Sequence, residues 1–123
     1  MHLIFAFVAL AAATVVNQEG NWKKEKDGSE SITLREDATA TEYIVRFPGG
    51  HVFRPHWHNV NERVLLLEGR LSLRQGDGPE TFLDAGGYAF LPAREVQRTK
   101  CVSTTRCTFY VFWDGRLDFN PAQ

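Results

Sequence analysis

Two histidines and a glutamate stand close together in the run GHVFRPHWHNVNERVLLLEG, residues 50–69. His56 and His58 are two apart, so on an extended strand both imidazoles project to one side while Trp57 points to the other. Glu62 follows across the short loop NVN, which lets a carboxylate turn back toward the two rings. Two neutral imidazoles and one carboxylate suit a divalent first-row metal with coordination positions left open for water, dioxygen or substrate. Pro55, just before His56, favours extended backbone at Arg54 and removes one ladder donor, which suits a strand edge. A lone H-x-H is a weak signal, because a buried histidine is more often an ordinary core residue.

The elements around this run read as short strands. SITLRED puts Ile32 and Leu34 on one face, and TEYIVRF puts Tyr43, Val45 and Phe47 on one face before the turn PGG. ERVLLLEGRLSLRQ is a strand pair broken at Gly69, GDGP is a tight turn, and TFLDAGGYAFLP, REVQRTKCV and RCTFYVFWDG follow. No window beyond the leader keeps helical periodicity, so the fold class is all-β, a sandwich or small barrel in a single domain. Leu65 and Leu67 make the second face of RVLLLEG apolar too, so the other sheet, the N-terminal arm or a second subunit must cover it.

Length and charge limit the partners. A chain of 123 residues forms one domain with a real core. A net charge of -1 presents no basic surface, which argues against nucleic acid as a partner. The first 16 residues are almost wholly apolar, hold no Lys or Arg, and offer Ala11-Ala12-Ala13 as a cleavage site. They read as a secretory signal peptide, giving a secreted or periplasmic protein with no membrane span once mature. The alternative is a buried N-terminal strand or helix in a cytoplasmic protein. Residues 17–38 read as a polar arm, 39–118 as the β-domain and 119–123 as a tail. Cys101 and Cys107 flank VSTTR; in an exported protein they can bridge across a hairpin, and in a cytosolic one they are two packed thiols.

The longer pattern G-x5-H-x-H-x3-E-x6-G is met by Gly50, His56, His58, Glu62 and Gly69. By composition alone it arises on the order of once in twenty thousand such chains. With it the chain resembles the cupins, whose first motif this is, over roughly residues 40 to 115. The family's second motif, G-x5-P-x-G-x2-H-x3-N, is kept at Gly86 and Pro92. Arg94 stands where its second glycine is expected, Gln97 where its histidine is, and Cys101 where its asparagine is. The resemblance implies a double-stranded β-helix, or jelly-roll barrel, holding one divalent metal (Fe, Mn, Ni, Zn or Co) in its mouth, and a homodimer.

On that basis the expected metal ligands are His56, His58 and Glu62, with Gln97 as a weak fourth ligand or a hydrogen-bonder to bound water or substrate. Glu62 is also the candidate catalytic carboxylate. Arg94, Arg54 and Tyr88 are candidate substrate contacts at the rim, and a guanidinium there would grip a carboxylate or phosphate. His51 falls outside the ligand set. Trp57, Phe53, Phe90, Phe109, Phe112 and Trp113 read as core or pocket lining. Two functions fit: an enzyme running a dioxygenase-type, isomerase or lyase reaction on a small organic molecule, or a non-catalytic small-molecule-binding cupin with a decayed metal site.

Overall fold

The computed structural model describes residues 10–123, so most of the leader lies outside the described residues. Residues 10–16 carry no regular structure and are exposed. Among the described residues there is no helix, and no helix long and apolar enough to cross a membrane. Eleven strands run in chain order: β1 Lys23–Lys24, β2 Glu30–Glu36, β3 Thr41–Phe47, β4 His56–Trp57, β5 Glu62–Glu68, β6 Arg70–Gln75, β7 Thr81–Asp84, β8 Tyr88–Leu91, β9 Gln97–Cys101, β10 Cys107–Trp113 and β11 Asn120–Pro121.

Two antiparallel sheets result, ordered β1-β2-β3-β10-β5-β8 and β11-β4-β9-β6-β7. The fold is the all-β double-stranded β-helix. Period-two alternation writes the core directly. Val64 and Leu66 of β5 and Phe109 and Val111 of β10 turn inward, where they meet Leu71 and Leu73 of the opposite sheet. Within residues 17–38 the run SITLRED forms the strand its alternation predicts. β2 lies in that stretch and pairs with β3, a bulge at Leu34 shifting the register while Ile32 stays buried.

The outer face of the first sheet stays apolar and open: Leu65, Leu67, Tyr88 and Phe90 are all exposed. The opposite sheet therefore does not cover Leu65 and Leu67.

A disulfide joins Cys101, at the end of β9, to Cys107, at the start of β10, with both residues buried. It ties one sheet to the other. Gly69 sits against it at φ 86°, where a Cβ would fall 2.8 Å from the Cys107 sulfur. At the opposite ends of β9 and β10 lie Gln97 and Trp113, and Glu62 of β5 pairs with Trp113 there. The barrel is thus stapled at one end and carries its polar groups at the other.

Candidate metal and ligand site

Glu62 opens β5, His56 opens β4, Gln97 opens β9, and Trp113 closes β10. Their shared end follows from the register. His56 pairs directly with Gln97 across β4 and β9, and Glu62 pairs with Trp113 across β5 and β10. All four, with His58, line one cavity of about 500 Å³.

Both imidazoles are held by their Nδ1 atoms. His56 Nδ1 lies 2.7 Å from the Arg54 carbonyl, and His58 Nδ1 hydrogen-bonds the Asp118 carbonyl. A carbonyl only accepts, so each ring carries its proton on Nδ1 and keeps a lone pair on Nε2. Burial pushes both rings below their ordinary imidazole value, which keeps them neutral. That is the tautomer and charge state of a metal-ligating histidine.

Glu62 is buried beside them. Its Oε1 accepts hydrogen bonds from Gln97 Nε2 at 3.0 Å and Trp113 Nε1 at 3.1 Å, and lies 3.5 Å from His58 Nε2. Burial pushes the carboxyl up to about 7, against the opposing pull of those two donors. Among the described residues no group of three or more His, Cys, Asp or Glu side chains is arranged as a set that could hold a metal ion. Oε1 of Glu62 is turned to Gln97 and Trp113 instead.

The C-terminal segment supplies what local spacing could not reveal. Besides its carbonyl on His58, Asp118 accepts from the Asn59 backbone N–H through its carboxylate, and Asn120 donates to the Trp57 carbonyl. Phe119 stacks on His56 at 4.7 Å between ring centroids. The stretch 119–123 is therefore more than a trailing tail: Asn120 and Pro121 pair as β11 with β4, and Phe119 beside them helps wall the cavity.

The remaining expected residues scatter. Arg54 lines the cavity. Arg94 is exposed and outside the lining, at φ 67°, and its N–H bonds the His58 carbonyl at 2.8 Å. Tyr88 lies on the outer face, in a shallow groove with Arg63, Leu65, Tyr110 and Phe112. Phe53, Phe109 and Trp113 line the cavity, whereas Phe90 is exposed on the outer face. His51 also lines the cavity, facing Asp27 at 4.0 Å, away from the His56–His58 pair.

The left-handed backbone at Arg94 falls where the cupin second motif places glycine, so backbone and motif agree although the residue departs. A family model described as the ChrR cupin-like domain matches residues 11–115. The chain belongs to that cupin family. Solved structures similar to this cupin include KdgF from a Halomonas species, with TM-score 0.72 and 17% identity over 86% of this chain and 96% of that one. An RmlC-like cupin from Shewanella frigidimarina aligns with TM-score 0.71 and 18% identity over 92% and 94%. The DMSP lyase DddQ from Ruegeria pomeroyi aligns with TM-score 0.67 and 20% identity over 82% and 59%. At these identities the likeness is one of fold. No curated protein matches the sequence of this cupin.

Proposed function

We propose that this cupin binds a small organic molecule in its barrel and holds one divalent transition metal, from among Fe, Mn, Ni, Zn and Co, through His56, His58 and Glu62. The observation that carries the reading is the pair of Nδ1 bonds to backbone carbonyls, which leaves two neutral Nε2 lone pairs beside a buried carboxylate. Oε1 of Glu62 already accepts two hydrogen bonds, so Oε2 is the oxygen offered to a cation. Bound there, the ion would supply Lewis acidity toward an oxygen-bearing substrate, as in metal-assisted lyase, isomerase or dioxygenase-type reactions.

The chain's own residues do the rest. Asp118 and Arg54 fix the two rings, Gln97 and Trp113 aim Glu62, and Arg54 stands at the cavity as a cation for an anionic substrate group. Gln97 serves as a hydrogen-bonder to Glu62 and to bound water or substrate. In this reading Glu62 is ligand first and proton acceptor if it detaches.

A second reading, a metal-free binding cupin, is favoured by one observation: Gln97 and Trp113 both donate to Oε1 of Glu62 and hold that oxygen without a cation. Metal analysis of protein purified without chelator or nickel resin separates the two. The metal reading expects about one ion per chain, lost in His56→Ala and His58→Ala; unmodified protein that neither carries nor takes up Mn, Fe, Co, Ni or Zn overturns it. The open face of Leu65, Leu67, Tyr88 and Phe90 supports a homodimer, and the apolar first 16 residues support export.

A further inference from the structure

The cavity is far from uniform. Its polar end is built by His56, His58, Glu62 and Gln97, while its body is walled by Val45, Phe47, Phe53, Leu71, Leu73 and Phe109. Phe47 and Phe53 stand 4.0 Å apart between centroids, and Phe47 stacks on Phe109 at 5.8 Å. Asp27 and His51, also in the lining, face each other at 4.0 Å. Arg54, Asp118 and the buried Thr99 are also in the lining, so the groups able to bond a hydroxyl are these, the Asp27–His51 pair and the polar end, while the six apolar side chains of the body offer none.

From this division we infer that the ligand is a hydrocarbon-bodied molecule, aromatic or branched aliphatic, with one oxygen-bearing head, and not a sugar or other polyol. The inference rests on reading the cavity as a small-molecule site but does not need its metal. The head meets the His56–His58–Glu62–Gln97 end, while the body lies among Phe47, Phe53 and Phe109, where aromatic edges and faces suit a ring. A polyol carries a hydroxyl on nearly every carbon. A hydroxyl laid against those six apolar side chains gives up its water hydrogen bonds and finds no partner there. A volume of about 500 Å³ holds a body of two fused rings with room to spare.

Calorimetric titration of the full chain with 1-naphthol and with D-glucose tests the idea. These probes are uncharged, each offers a hydroxyl able to donate to a ring Nε2 or to Glu62, and they differ in the body. The titration is run on protein as purified and after chelator treatment. Naphthol is expected to bind about tenfold or more tighter than glucose in both preparations. In Phe53→Asp it should weaken about tenfold, and in Phe53→Leu it should be retained. Glucose binding as well or better, no binding of naphthol, or unchanged binding in Phe53→Asp each overturn the inference. Naphthol preference in protein that takes up no metal supports this inference while sinking the metal reading, so the two failures are distinct.

Discussion

His58 Nε2 faces Glu62 Oε1 at 3.5 Å with both side chains buried, a lone pair set against a carboxylate. Two acceptors at that distance in a low-dielectric pocket repel unless a proton or a cation lies between or beside them. Burial raises the Glu62 carboxyl independently of this contact, so both favour a proton or a cation at the site.

The first prediction follows from that carboxyl. Its value in the folded metal-free chain, about 7, lies above the ordinary 4.5. A raised value means that its stabilising effect is complete below 4.5 and is lost as pH rises through 7. At ~1.4 kcal/mol per unit the loss reaches roughly 3 kcal/mol. Glu62→Gln removes this titration, so in chelator-treated protein the variant should gain on the parent from pH 5 to 8 and then level off. Chemical denaturation at a series of pH values measures the difference; a gap that stays flat contradicts it.

A second concerns the C-terminal segment. Asp118→Ala removes the carboxylate that anchors this strand to Asn59, and with it the hold of the Asp118 carbonyl on His58. Metal affinity should fall ~10- to 100-fold, the usual effect of losing a partner behind a ligand. Competition against a chromogenic chelator reads it. Unchanged affinity would mean that His58 keeps its orientation without the strap.

The disulfide yields a contrasting expectation. Its closed loop is short, so Cys101→Ser with Cys107→Ser should cost about 2 kcal/mol in unfolding free energy. Because the bridge lies at the far end of β9 and β10 from Gln97 and Trp113, ligand binding by the folded variant should be unchanged. Paired denaturation and titration experiments would expose any coupling between the two ends.

Arg94 pays for its position with a left-handed backbone. Arg94→Gly keeps the N–H that bonds His58 while relieving that strain, although glycine loosens the unfolded chain. The net gain should be about 0.5–1 kcal/mol, seen as a higher melting temperature; a drop would show that the arginine side chain makes contacts worth more than the strain.

Much of this could be read from the sequence because β-structure writes itself locally. Alternation along ERVLLLE and CTFYVFW places Glu62, Val64 and Leu66, and Phe109, Val111 and Trp113, on inner faces. The H-x-H spacing and the glutamate turn then bring His56, His58 and Glu62 to one wall, and motif spacing adds Gln97 opposite His56. The same rule turns Tyr88 and Phe90 outward, since β8 buries Leu91, and it outweighs the reading of Tyr88 as a rim contact and of Phe90 as core or lining. Asp118 and Phe119 had no such signal. They meet His58 and His56 about sixty residues away, through a strand of two residues that pairs only once the barrel has closed. Trp113 reads as a core aromatic from sequence, and only the register of β10 against β5 reveals it as a donor to Glu62.

The most direct test of the central claim is the X-ray absorption spectrum of the full chain loaded with one equivalent of cobalt. Two histidines and one carboxylate as ligands predict an outer-shell imidazole signature from two rings, falling to one in His56→Ala and again in His58→Ala. A bound ion with no imidazole signature, or one indifferent to both substitutions, would contradict the assignment of His56, His58 and Glu62 as the metal site.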